Sequence, residues 1–263
     1  MSKCLIFFGQ NRLSEVFYYY LNNQINIDEF DVYISGWLYE QDKLDHFKKY
    51  FKIKNYSLID PSTYLSEHID SFNVRNKKAM IDVCNIGNCQ AFAQHISMDN
   101  IKTFVNLKKY NNVYITRSDS VNLFDISYDV IQNTIYDRVI SNKKINGNFL
   151  YGDGLGCYNF CKNFLKNTVE YFDRSTSSDK GSPRFLWHNN ALQCGVNISN
   201  IKLNTLFIRP GVEKYEWQKP YIIDTWDLFN KLKRYTNCVD NINFKDISIE
   251  ELVDYKHTYL DCT

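Results

Sequence analysis

No stretch of this chain approaches the ~20 consecutive apolar residues that a membrane-spanning helix requires, so no span is expected. No charge of one sign dominates either. Lys and Arg number 31 against 30 Asp and Glu, a net of +1, which removes the electrostatic drive toward nucleic acid or an anionic membrane. The eight cysteines include no C-x-x-C pair and only five His lie among them, so zinc-ligand spacing is lacking. Met1-Ser2-Lys3 runs straight into Cys4-Leu5-Ile6-Phe7-Phe8-Gly9, an apolar run too short for a signal-peptide core. The expectation is a cytoplasmic chain with reduced thiols. A dinucleotide fingerprint is missing too. Gly152-Asp153-Gly154-Leu155-Gly156 puts Cys157 where the last glycine of G-x-G-x-x-G belongs, and it lies far from the first strand. There is no internal repeat and no clear linker.

What is present suits a folded α/β protein. The 263 residues are 44% hydrophobic and 23% charged, enough for a sizeable core in one large domain or two small ones. The 20 Tyr and 18 Phe accompany a lean toward Asn, Lys and Ile that an AT-rich genome produces. They read as compositional bias first and as sugar-stacking surface second.

Leu5 to Phe8 is continuously apolar, as in a parallel sheet covered on both faces. Ser14 then offers an N-cap to a helix over Glu15–Leu21. Asp31-Val32-Tyr33-Ile34-Ser35 is a second strand, ending at Gly36-Trp37. Strand, helix and strand form a right-handed βαβ unit, which brings Gln10, Asn11, Arg12, Ser35, Gly36 and Trp37 to the mouth of the sheet. Arg12, before a helix N-terminus, suits a phosphate, although a surface arginine would look the same.

Further on, Asp42–Tyr50 reads as a helix. Tyr56–Ile59 reads as a short strand stopped by Asp60-Pro61, and 77–110 as helical, with His95 inside its apolar stripe as a core residue. Ser120–Asp129 looks like a loop, and Arg138–Ser141 a short strand. Gly152–Gly156 reads as a flexible turn into a helix over Cys157–Phe172. Cys157 and Cys161, four apart, share a helix face. A mobile loop is expected over Ser175–Ser182, a helix from Phe185 to Leu192 closed by Gly195, short strands at Val196–Ile198 and Thr205–Ile208, and a helix near Asp227–Arg234.

The stretch that organises the rest is Asn111-Asn112-Val113-Tyr114-Ile115-Thr116-Arg117-Ser118-Asp119-Ser120. Its β-branched and aromatic first half is a buried strand. Polar Arg117, Ser118 and Asp119 arrive where that strand ends, and in open α/β sheets ligands bind beyond the carboxyl ends of strands. The charged pair is either a salt bridge that closes the strand or a site.

In this order the pieces resemble a loose family of GT-A-like glycosyltransferases from bacterial surface-polysaccharide clusters and large viruses, including proteins similar to the WavE type. An SGQ-x-R-like turn is matched by Phe8-Gly9-Gln10-Asn11-Arg12. A D-V-F-I-x-x-W strand is matched by Asp31-Val32-Tyr33-Ile34-Ser35-Gly36-Trp37. The family's Q-x-x-S-M helix is similar to Gln94-His95-Ile96-Ser97-Met98, and its R-x-D strand end to Arg117-Ser118-Asp119. Its glycine-preceded helix and P-E-x-L-L segment look like Tyr151-Gly152-Asp153 and Ser182-Pro183-Arg184-Phe185-Leu186. Arg117 stands at the first acid of a DxD motif, and Arg184 at the expected Glu.

The resemblance implies a GT-A-like (Rossmann-like), mostly parallel sheet flanked by helices in a single domain: a nucleotide-sugar-binding domain over 1–210, and an extension over 211–263 packed on it. It implies a glycosyltransferase that moves a sugar from a nucleotide-diphosphate donor to a glycan or surface-polysaccharide acceptor, in a host cytoplasm if the chain is viral. A degenerate glycan-binding or scaffold protein on the same fold is the alternative. Gly9, Gln10, Arg12, Gly36, Trp37 and Ser118 would bind the donor, and Asp119 would hold Mn²⁺ or Mg²⁺. Arg117 would bear charge in catalysis and Asp153 would deprotonate the acceptor, although an aspartate between glycines also suits a plain turn. Oligomeric state is not legible.

Overall fold

The computed structural model describes residues 2–9, 21, 25–38, 41–84, 90–118, 120–123, 130–137, 139–141, 144–145, 147, 149–175, 183–201, 204–208 and 222–223. Its strands are β1 (Lys3–Phe8), β2 (Phe30–Trp37), β3 (Ile53–Ile59), β4 (Asn112–Thr116), β5 (Ser120–Leu123), β6 (Thr134–Asp137), β7 (Val139–Ser141), β8 (Lys144–Ile145), β9 (Phe149–Gly152), β10 (Asn197–Asn200), β11 (Asn204–Ile208) and β12 (Ile222–Ile223). Its α-helices are α1 (Gln41–Tyr50), α2 (Pro61–His68), α3 (Lys77–Cys84), α4 (Gln90–Phe104), α5 (Gly154–Lys162), α6 (Phe164–Arg174) and α7 (Pro183–Gln193). The chain divides into two compact units.

The first unit comprises residues 1–11, 28–117 and 126–202. Its seven-stranded sheet runs β10-β6-β9-β4-β1-β2-β3. Only β9 is antiparallel to its neighbours β4 and β6; the other pairs are parallel. This is the α/β, mostly parallel sheet flanked by helices that the sequence predicts. β1 lies between β2 and β4, with Leu5 level with Val32 on one side and Tyr114 on the other. The strand order reverses there, and at such a switch point an open sheet splits into a crevice outside its carboxyl ends.

The apolar runs form strands because both faces of the sheet are covered. Cys4, Ile6, Phe8, Tyr33, Val113 and Ile115 join one core with Ile96, Met98 and Ile101 of α4, Phe160 of α5, Phe164 of α6 and Trp187 of α7. On the opposite face the Phe7 ring lies 5.3 Å from Phe47 of α1 and 5.0 Å from Phe51. Each such fully buried aromatic side chain contributes roughly 2–3 kcal/mol. Cys157 and Cys161 are buried on one face of α5, as their spacing predicts. Cys161 Sγ lies 3.9 Å from Met98 Sδ, and burial pushes the Cys161 thiol up, so it packs as a small apolar group.

Asp60-Pro61 follows the end of β3, as the sequence predicts, and it also opens α2. Asp60 is its N-cap and accepts from Thr63 N at 2.8 Å, while Pro61 needs no partner in the first turn. Several local expectations need correction. The helical reading of 77–110 resolves into α3, α4 and a 3₁₀ turn at Leu107–Lys109. The Ser120–Asp129 loop reading fails at Ser120–Leu123, which pairs as β5. The helix predicted over Cys157–Phe172 is α5 and α6, broken at Asn163.

The glycines at 152–156 form no flexible turn. Gly152 ends β9 and Gly154 opens α5, where an added Cβ would lie 2.3 Å from Leu107 O. Close packing, not freedom, requires glycine there. Gly195 closes α7 as expected, at φ +64°. It donates to Leu192 O while Val196 donates to Ala191 O, the paired bonds of a Schellman motif.

The second unit comprises residues 12–27, 118–125 and 203–263. Its described part is a three-stranded sheet in which β11 pairs antiparallel with β5 and parallel with β12. The helices expected at Glu15–Leu21 and Asp227–Arg234, the loop over Ser175–Ser182 and the 211–263 extension lie wholly or mostly outside the described residues.

Candidate functional site at the carboxyl edge of the sheet

Three chain segments meet where β1, β2 and β4 end, and α4 ties them together. Gly9 follows β1 at φ +81°, a left-handed conformation that L side chains rarely adopt. That turn lets Gly9 N donate to Ser35 O at 2.9 Å, which locks the end of β1 to β2. Ser35 Oγ donates to Ser97 O of α4 at 2.6 Å and accepts from Asn100 Nδ2 at 3.1 Å. Trp37 Nε1 donates to Ala93 O at 3.4 Å. Arg117, the first residue past β4, donates from Nη1 to Gln94 Oε1 at 2.8 Å. Residues 93, 94, 97 and 100 thus lie along one side of α4, at the spacing by which a helix presents successive turns.

The cluster is polar and buried. Ser35, Gln94, Ser97, Asn100 and Arg117 are all buried, with Arg117 8% exposed. Desolvating a guanidinium is costly unless its hydrogen bonds are met inside the protein, and Gln94 meets one. Arg117 is therefore a cation held in a defined orientation at a strand's carboxyl end. This is what an anionic group needs from its receptor: a fixed charge in a partly water-excluded place. Beside it on α4, His95 is buried with its ring 5.7 Å from the Phe164 ring. Burial pushes its pKa down to about 3, so it carries no charge near neutrality and belongs to the core, as the sequence predicts.

Of the residues anticipated from sequence, Gly9, Gly36, Trp37, Arg117 and Ser118 are described and sit at the ends of β1, β2 and β4. Trp37 is completely buried under the end of β2, so it shapes the floor and offers no stacking surface. Gln10, Arg12 and Asp119 lie outside the described residues. Among the described residues no group of three His, Cys, Asp or Glu could hold a metal ion.

Asp153 is not brought to the others. It follows β9, whose last residue Gly152 is level with Val113 near the start of β4, and Gly154 N donates to Tyr110 O. Asp153 and Arg117 are thus separated along β4 by about 16 Å, at roughly 3.3 Å per residue. The Asp153 carboxylate is the N-cap of α5, accepting from Leu155 N at 3.1 Å, Gly156 N at 3.0 Å and Thr134 N at 3.3 Å. The physical reason is the antiparallel run of β9, which delivers its following residues to the opposite edge of the sheet.

The sequence places Ser35 at the mouth of the sheet and Gln94 and Ser97 in the Q-x-x-S-M-like helix but gives none of them a chemical role, and Asn100 stands outside every motif. The available signal was polar residues three and four apart on a helix otherwise reading as core: Gln94, Ser97, Asn100.

No protein-family model matches the chain, and no curated protein matches it. Among solved structures the chain is similar to a structure described as PaToxG glycosyltransferase, at 13% identity and a TM-score of 0.40, over 73% of this chain and 68% of that one. It is also similar to mouse xyloside xylosyltransferase 1 in its apo form, at 7% identity and a TM-score of 0.41, over 82% of this chain and 89% of that one. Both are glycosyltransferases by name, and at this level of likeness neither bears on what this chain binds or transfers.

Proposed function

We propose that this chain is a glycosyltransferase on a GT-A-like fold, moving a sugar from a nucleotide-diphosphate donor to a glycan or surface-polysaccharide acceptor. The observation that carries the reading is Arg117. It is a buried cation, oriented by Gln94, at the end of β4 and beside the switch point between β1 and β4. Sugar transfer expels a nucleoside diphosphate, and a fixed cation lowers the cost of the negative charge that develops on it. The Gly9 turn and the Ser35–Gly36 strand end line the same edge.

Asp119 supplies the carboxylate for Mn²⁺ or Mg²⁺ in this reading, and Gln10, Arg12 and Ser118 contribute donor contacts. A divalent cation would share the neutralisation of the diphosphate. Such an ion would also take ligands from the donor's phosphate oxygens and water, as Mg²⁺ commonly does. Arg117 in place of a first acidic residue also supports a second reading, a degenerate member of the same fold that serves as a glycan-binding or scaffold protein without turnover.

Thermal stability against a panel of nucleotides and nucleotide sugars, with and without Mn²⁺, tests the proposal. A ligand at 100 times its dissociation constant adds about 2.7 kcal/mol, several degrees for a chain of this size at roughly 2–4 °C per kcal/mol. A shift that requires Mn²⁺ and disappears in Asp119→Ala supports the metal assignment. A shift without metal moves the neutralising role to arginine. Binding with no sugar transfer favours the second reading, and no shift with any member of the panel overturns the transferase reading and puts the second in its place.

A further inference from the structure

β3 ends the seven-stranded sheet and, among the described residues, pairs with β2 alone. Its outward side follows from the ladder. Gly9 N donates to Ser35 O, so Ser35 turns its backbone groups toward β1. Ile34, one residue earlier, therefore turns toward β3, where it is level with Tyr56. In a parallel ladder such a residue bonds the two neighbours of its level partner, here Asn55 and Ser57. The backbone N–H and C=O of Tyr56 are left facing out. The Tyr56 amide agrees: it donates to Asn55 Oδ1 at 2.9 Å, an exposed local bond standing where a strand's carbonyl would lie. Tyr56 is 42% exposed, and Lys48 Nζ of α1 lies 5.9 Å from its ring centre. Two charges flank the strand. Lys52 is exposed and makes no ion pair among the described residues. Asp60 accepts from Ser62 Oγ and Thr63 N on Oδ1, which leaves Oδ2 for another donor.

We infer that β3 is a dimerisation edge, to which a second copy of this chain adds its own β3 in the antiparallel sense. The edge is complementary to itself. With Tyr56 opposite Tyr56 of the second copy, Asn55 meets Ser57, and Lys52 comes beside Asp60 at each end of the contact. Aromatic pairs and opposite charges are the cross-strand pairs that stabilise an antiparallel ladder. A parallel arrangement would instead set Lys52 beside Lys52 and Asp60 beside Asp60. The twofold closes the contact, so assembly stops at two copies. The register irregularity between Val32 and Tyr33 falls opposite Lys54 and keeps the regular pairing short. An interface of this kind lies below the ~1,200 Å² of standard complexes, and the pair is weak.

Sedimentation velocity of the full chain, from low to high micromolar concentration, tests this, with far-UV dichroism to confirm that each variant is folded. The unmodified chain passes from monomer to dimer as concentration rises. Tyr56→Pro removes an outward N–H that the β2 ladder does not use, so the sheet survives and the dimer is lost. Lys52→Glu sets like charges together at both ends and weakens the dimer about tenfold, because the twofold applies a small exposed-pair effect twice. Adding Asp60→Asn, which still caps α2, recovers most of that loss. Tyr56→Cys fixes the register. Facing its own copy at about 5.5 Å between Cα atoms, it forms an intermolecular disulfide on mild oxidation, located by mass spectrometry of the joined peptides. Leu58→Cys, which faces Lys54, forms none. A chain that stays monomeric at every concentration overturns the inference. So does a dimer indifferent to Tyr56→Pro and Lys52→Glu, or growth beyond two copies.

Discussion

Gly9 and Gln94 meet so closely that a Cβ on residue 9 would lie 3.1 Å from Gln94 Cγ, and Gly9 holds φ at +81°. The two constraints act together. An L side chain in this conformation costs about 1–2 kcal/mol, and the new methyl group also presses on the side chain that orients Arg117. Gly9→Ala is expected to lower the thermal midpoint by several degrees, at roughly 2–4 °C per kcal/mol. It should also weaken nucleoside-diphosphate binding more than a glycine-to-alanine change elsewhere. Differential scanning calorimetry with and without uridine diphosphate checks both effects. An unchanged midpoint would show that the turn relaxes at no cost.

The strands that build this edge were legible because their signals are local. β1 and β2 are apolar runs, and Arg117 stands out because polarity changes abruptly at the end of β4. β6 was missed: Thr134-Ile135-Tyr136-Asp137 is four residues long, and its partners β9 and β10 come later in the chain. The direction of β9 was equally hidden, and it decides that Asp153 faces the wrong edge. Gln94 is quoted in the Q-x-x-S-M-like helix, but its contact with Arg117 was not legible because α4 is buried on every side over residues 93–101. On such a helix polar residues have no wet face to betray them, and they resemble ordinary exposed positions.

Asp99 joins three helices. Its buried carboxylate accepts from Tyr64 OH of α2 at 3.0 Å, from Lys102 Nζ on its own helix at 2.8 Å, and from Leu165 N in the first turn of α6 at 2.9 Å. Asn163, the N-cap of α6, makes no side-chain capping bond, so Asp99 caps that helix from outside. Asp99→Ala strands a buried N–H and hydroxyl and is expected to cost about 2–4 kcal/mol. Lys102 is partly exposed and recovers solvent. The urea midpoint should fall with little change in m value.

His95 makes stability depend on pH. Burial holds its pKa near 3 in the folded chain, against about 6.5 when unfolded. Between those values the unfolded chain binds the extra proton, so stability rises with pH. The contribution is complete above pH 6.5 and is lost as pH falls toward 3. At about 1.4 kcal/mol per pH unit, moving from pH 6.5 to pH 5 should remove about 2 kcal/mol. Urea unfolding at a series of pH values measures this slope, and His95→Leu, which cannot titrate, should flatten it over that range.

Asp153 offers a test in which charge and capping are separated by one atom. Asparagine caps a helix about as well as aspartate, while alanine does not cap at all. If Asp153 serves α5, Asp153→Asn should keep most of the stability, and Asp153→Ala should lose about 1–2 kcal/mol, since Leu155 N, Gly156 N and Thr134 N all lose their acceptor. If instead Asp153 removed a proton from an acceptor hydroxyl, the asparagine variant would fold normally and lose sugar transfer by two or more orders of magnitude, the usual worth of a general base. Its place at the opposite end of β4 from Arg117 leads us to expect the first pattern. The thermal midpoint and the transfer rate of the two variants, measured side by side, distinguish a helix cap from a base.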